Sequence, residues 1–152
     1  MFDIREDDLS SEPTRALLAL HLRGMRAHSP ADSVHALDLS GLTAPGVTVW
    51  SVRRGDEVAG IGAMRRLDDG TGEIKSMRTH PDHLRRGVAR ALLEHIVAHA
   101  RAQDLRRLSL ETGTGPAFEP ALALYRRYGF VEGDPFGGYR PSDFNRFLHL
   151  TL

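Results

Sequence analysis

Apolar residues in this chain recur at two spacings, every second position in short runs and every third or fourth in longer ones. The two alternate from end to end. Residues 2–5 (FDIR) predict a short first strand. Ser10 or Ser11 can cap a helix that tolerates Pro13 in its first turn, and Leu17, Leu18, Leu20, Leu22 and Met25 give it an apolar side as far as His28. The run 29–32 (SPAD) stops it, and residues 33–39 are expected to form a second, short helix. The β-branched run 47–52 predicts a strand, 53–56 a turn, and 57–67 a strand lightened by Gly60, Gly62 and Ala63. Residues 68–72 (DDGTG) turn the chain into a further strand over 73–79. After a long helix comes a strand at 107–112, then a helix from Ala117 or Pro120 to Tyr128, where Gly129 suits the C-terminal stop. Residues 130–132 and 144–150 read as closing strands, joined by a Gly- and Pro-rich connection at 134–143. No repeat, low-complexity tract or linker interrupts this order, so one domain over 1–152 is expected.

The stretch 72–101 (GEIKSMRTHPDHLRRGVARALLEHIVAHAR) organises the rest. Its strand breaks at His80-Pro81-Asp82, because proline supplies no N–H and restricts its neighbour. Beyond the turn 84–89, apolar residues at 88, 89, 92, 93, 96, 97 and 100 mark one helical face. A helix that opens out of a small-residue turn leaves backbone N–H groups unpartnered, and with the helix dipole these suit a phosphate. Gly87 and Ala89 keep that backbone bare, and Arg85, Arg86 and Arg90 add positive charge. Neither G-x-x-x-x-G-K-S/T nor G-x-G-x-x-G occurs, which sets aside two familiar phosphate loops.

The segment Leu84-Arg85-Arg86-Gly87-Val88-Ala89 resembles the coenzyme A loop of the GNAT acetyltransferases, Q/R-x-x-G-x-G/A, approached by Thr79-His80-Pro81 in place of V-x-P. Leu84 departs from the usual Gln or Arg but leaves the backbone cradle intact. A second signature follows one strand later, where ALALYRRYGF (121–130) resembles the family's A-x-x-L-Y-x-x-x-G-F. The resemblance implies the α/β GNAT fold, a mixed, strongly twisted sheet in the order β-α-α-β-β-β-α-β-α-β-β with helices on both faces. It also implies acetyl-CoA as co-substrate, and from the residues themselves no metal is expected.

Composition narrows the picture further. Twenty Lys and Arg balance twenty Asp and Glu, so nothing points to nucleic acid or an anionic membrane as partner. Cysteine is absent, which excludes disulfides, a thiolate nucleophile and Cys-ligated zinc. His95 and His99 stand four apart, but HIVAH lacks the Glu of H-E-x-x-H. The acidic N-terminus has no apolar core and no run reaches membrane-spanning length, so a cytoplasmic location is expected. Residues 133–143 and the last strand leave an edge that a second copy (a homodimer) or a covering loop can occupy.

Acetyl transfer from a thioester to an amine needs a base for the ammonium, polarisation of the carbonyl and stabilisation of the departing thiolate. The resemblance assigns these tasks. Tyr125 matches the tyrosine that faces the coenzyme A sulfur as general acid, where the competing reading is a packed helix tyrosine. Glu73 matches a common position for the base, with Glu111 on the neighbouring strand as its competitor. Backbone groups near Met77, Arg78 and Thr79 are implied to hold the pantetheine arm, and residues 84–90, including Val88, to hold the diphosphate. Many family members carry Asn seven residues before the Tyr, and this chain has Phe118. Acceptor-side candidates are His28, Ser33, His35, Lys75, Glu111 and Phe118, and a cation such as Lys75 or Arg78 could bind a substrate carboxylate. For each, a plain surface or core role competes. The expected acceptor is a small amine reached by direct transfer. A protein N-terminus or lysine, and an acyl-CoA-binding module without chemistry, are the alternatives.

Overall fold

A computed structural model describes residues 2–34 and 36–152. Seven strands form one mixed sheet: β1 (Asp3–Glu6), β2 (Val47–Arg54), β3 (Glu57–Arg66), β4 (Gly72–Thr79), β5 (Arg107–Gly113), β6 (Val131–Glu132) and β7 (Asn145–Thr151). Their spatial order is β1-β2-β3-β4-β5-β7-β6. Every neighbouring pair runs antiparallel except β4 and β5. Among the described residues there are four α-helices, α1 (Glu12–His28), α2 (Leu39–Leu42), α3 (Val88–Ala102) and α4 (Glu119–Tyr128), and three short 3-10 turns. The order of elements is that expected of the GNAT fold.

The sheet separates two cores. On one face α1 buries Leu17 and Leu18 with Val49, Ile61 and Ala63. On the other, Leu92, Leu93, Ile96 and Val97 of α3 and Leu122 of α4 pack with Trp50, Val52, Met64 and Leu108. Each such side chain contributes about 1.5–3 kcal/mol when fully buried. The glycines of β3 let α3 approach closely. A Cβ at Gly60 would lie 2.7 Å from Val88 Cγ1, and one at Gly62 2.8 Å from Leu92 Cδ2. The first turn of α3 is thereby fixed beside the end of β4. His95 and His99 turn their ring edges to buried Trp50, at 5.8 and 5.0 Å between centroids.

One predicted element fails. Residues 33–39 do not form the second helix: a short 3-10 turn covers Ala31–Ser33, and α2 starts at Leu39. Asp38 decides this, because its side chain accepts a hydrogen bond from Gly41 N at 2.9 Å and so caps the start of a helix. His35 lies outside the described residues.

The feature that makes a site is a divergence. β4 and β5 pair only at Gly72 with Leu108 and at Glu73 with Ser109. Beyond them β5 stays bonded to β7 as far as Gly113, and β4 to β3 as far as Thr79. A register shift opposite Gly62, with Ser76 held at φ 58°, is a bulge that bends β4 away. The facing edges of β4 and β5 thus open into a slot. The connection at 133–143 folds back over the β5–β7 end of the sheet, where Phe136 packs against Phe147 and His149. No helix among the described residues is long and apolar enough to cross a membrane.

Candidate active site

At the mouth of the slot the turn into α3 forms a cradle of bare backbone. Gly87 precedes α3 at φ 82°, a left-handed conformation that costs an L-residue about 1–2 kcal/mol. It turns the chain so that the first N–H groups of α3 are left without intrahelical partners. A Cβ at Gly87 would meet no atom within 4 Å, so the space before the helix is open. The approach is held from behind: His80 Nδ1 accepts from Asp82 N at 3.1 Å, and His83 lies 3.0 Å from the Glu57 carboxylate. Leu84, Arg85, Val88, Ala89 and Arg90 line the cavity, whereas Arg86 does not, and Arg90 also pairs with Glu94 at 3.0 Å. Gly87→Ala should therefore weaken coenzyme A by roughly tenfold, read by calorimetric titration. Unchanged affinity in a folded variant would remove the loop from the site.

From this cradle a cavity of about 840 Å³ runs through the slot, past Met77 and Thr79 to Tyr125 on α4 and to α1. Its fit to acetyl-CoA rests on three features. The edge of β4 beyond Glu73 is unpaired toward β5 and can bond an extended arm, the cradle can take phosphates, and the volume is that of a ligand site. Tyr125 lines the cavity from a buried ring set edge-on to Phe130 at 5.6 Å, and burial holds its hydroxyl above the ordinary phenol pKa. Phe118 also lines it, 8% exposed and edge-on to Phe144.

The two carboxylates differ in their surroundings. Glu73 is 1% exposed and fully engaged: Arg65 Nη2 lies at 2.7 Å, Lys75 Nζ at 3.3 Å, and the Tyr139 hydroxyl donates to Oε2. It does not line the cavity. Glu111 does, on the same face of the sheet. Burial pushes the Glu111 carboxyl up to about 7, against the pull of Lys75 and an Asn145 hydrogen bond, with the Glu73 charge adding to the rise. Lys75 borders the cavity too and donates to Tyr139 at 2.6 Å.

On the acceptor side, His28 lines the cavity and Ser33 does not. Arg78 faces α1 and donates from Nε to His21 Nδ1 at 3.0 Å. His21, Arg65, Tyr139 and Asn145 did not stand out in the sequence. Arg65 was within reach of inspection, because the hairpin turn sets it directly opposite Glu73.

The family comparison agrees with this geometry. The GNAT acetyltransferase family model matches residues 11–130, and the chain belongs to that family. It is 51% identical over 152 residues to YedL, an uncharacterized N-acetyltransferase of Escherichia coli (strain K12), spanning all of this chain and 96% of that one. It is 40% identical over 124 residues to an IAA acetyltransferase of Azospirillum brasilense, covering 81% of this chain and 80% of that one. Among solved structures, a putative acyl-CoA N-acyltransferase from Klebsiella pneumoniae subsp. pneumoniae MGH 78578 superposes with TM-score 0.81 at 27% identity, over 100% of this chain and 98% of that one. A Bacillus subtilis acetyltransferase solved with CoA shares the fold at TM-score 0.74 and 18% identity, over 100% and 99% of the two chains. The protein is an acetyltransferase.

Proposed function

We propose that the protein transfers the acetyl group of acetyl-CoA directly to the amine of a small molecule, with Glu111 as base and Tyr125 as acid. The observation that carries this reading is that Glu111 and Tyr125 both line the slot where β4 and β5 part, while Glu73 is buried in an ion-pair network and does not line it. Acetyl-CoA supplies a thioester, whose C–S bond breaks as the new C–N bond forms. Glu111 takes the proton of the acceptor ammonium, for which a pKa near 7 is well matched at neutral pH. N–H groups on the open edge of β4 by Met77 and Thr79 are available to polarise the carbonyl. The Tyr125 hydroxyl donates to the departing sulfur. The second amine proton, shed as the C–N bond forms, makes good through solvent the one that Tyr125 gave to sulfur, and Glu111 releases its proton to solvent, so one proton is set free per turnover. With no cysteine in the chain, no thiol is at hand for an acyl-enzyme, which favours direct transfer.

A small acceptor fits better than a protein chain, because α1 supplies His21, Gly24, Met25 and His28 to the cavity wall and so roofs the end beyond the sulfur. A screen of amines for acetyl-CoA-dependent thiol release tests the reading. Turnover confined to protein N-termini or lysines would overturn it.

Glu73 takes a structural role in this reading. Glu73→Gln should cost about 2–3 kcal/mol in denaturant unfolding, because Lys75 and Arg65 lose their shared counter-charge. Wild-type stability together with a lost pH profile would return the base to Glu73.

A further inference from the structure

Arg78 is an inner cation with no counter-charge among the described residues. Other cations near the sheet have one: Arg53 pairs with Asp7 at 3.3 Å, Arg65 with Glu73 at 2.7 Å and Lys75 with Glu73 at 3.3 Å. No carboxylate among the described residues pairs with Arg78. Among the described residues its side-chain bonds are to one residue of α1, from Nε to His21 Nδ1 at 3.0 Å and from Nη2 to the His21 carbonyl at 3.4 Å. His21 does not neutralise it. The ring nitrogen that accepts from Nε carries no proton, and burial, with the Arg78 charge, pushes the imidazole down to about 4, so it stays neutral.

The guanidinium is nevertheless placed with care. Gly24 stands where a Cβ would come within 2.8 Å of Nη2, so α1 leaves room for the head group. Two of the five N–H donors are used on His21, which leaves three. Arg78 lines the same cavity as Glu111, on the side roofed by α1. A half-buried guanidinium with spare donors and no acid beside it is costly unless an anion arrives.

We infer that the acceptor is an amine that also bears a carboxylate, which docks on Arg78 while the amine faces Glu111. This rests on the acceptor reading above and narrows it to amino-acid-like substrates. A planar carboxylate can accept from the guanidinium fork in two-point fashion, which fixes the direction of the amine as well as adding affinity. His21 is a positioning residue in this scheme.

The test uses acceptors in matched pairs, the amino acids (with β-alanine, γ-aminobutyrate and aminobenzoates) against their carboxamides, assayed by thiol release with wild type, Arg78→Gln and Arg78→Lys. Wild type should favour the acid of the best pair by at least about tenfold in kcat/KM. Arg78→Gln should raise KM for that acid by about tenfold to a hundredfold while KM for acetyl-CoA stays within about twofold. Arg78→Lys should keep part of the preference, showing that charge matters in a folded enzyme. A preference for the carboxamide, an acid preference that survives Arg78→Gln, or a KM rise confined to acetyl-CoA would each overturn the inference. The last would assign Arg78 to the cofactor. Melting temperatures separate this inference from the reading on which it rests. If no pair is turned over, the acceptor reading fails. A carboxylate in the panel that raises Tm of the CoA-loaded wild type, but not of Arg78→Gln, still supports an anion site at Arg78, and no such difference overturns it.

Discussion

Tyr125→Phe should lower the single-turnover rate of acetyl transfer about a hundredfold or more, and leave the affinity for acetyl-CoA nearly unchanged. The ring is what packs: it is 6% exposed, sits edge-on to Phe130 and belongs to the α3-side core, all of which Phe preserves. Only the hydroxyl is lost. Because burial holds its pKa above the ordinary phenol value, that hydroxyl keeps its proton across the working pH range. It can donate to sulfur as negative charge develops there, from a buried position where such a bond is strong. The measurement has to be a single turnover, since slow product release would hide a chemical defect. A wild-type single-turnover rate in Tyr125→Phe would leave Tyr125 with packing alone.

Much of this was open to inspection in the sequence, for a physical reason. The helical spacing of α1 and α3, the Ser11 cap and the breaks at Pro81 and Gly129 are local properties, and local properties are written in neighbouring residues. The turn before α3 was legible on the same grounds, and the structure has Gly87 at φ 82° with α3 beginning directly after it. The second helix was not, because Asp38 can serve inside a helix or cap one, and a hydrogen bond to Gly41 decides for the cap.

The different surroundings of the two carboxylates are not local either. Glu73 sits at the position that the family resemblance favours for the base, and the groups that engage it lie elsewhere in the chain. Arg65 faces it across a hairpin, and Tyr139 reaches it from the Gly/Pro-rich connection over 66 positions. The bulge was hidden as well. Ser76 adopts φ 58° without the glycine that would advertise it, so the parting of β4 from β5 shows only in the paired register. Arg78 illustrates the same limit from the other side. Its spare charge is visible only once every nearby acid has been placed.

Glu111→Gln should lower turnover about a hundredfold at neutral pH and change the shape of the pH profile. In the wild type the rate with bound acceptor should climb to a plateau with an apparent pKa near 7, as the Glu111 carboxyl ionises and becomes able to take a proton. Gln cannot do this. The variant should instead gain about tenfold per pH unit toward the pKa of the acceptor's own amine, because only the amine already neutral in solution reacts. The defect therefore shrinks as pH rises, which a general loss of structure would not produce. Stability should move the other way. A carboxyl whose folded pKa lies above its unfolded value of 4.5 holds its proton in the folded state where the unfolded chain releases it, so the parent loses stability as pH rises from about 4.5 through 7. Gln carries no charge to bury and should melt no lower than the parent at pH 8. Slower chemistry with equal or greater stability marks a functional carboxylate held at a cost to the fold. A Glu111→Gln enzyme with the parent's pH profile would take the proton from Glu111 and give it to bulk water or to Glu73.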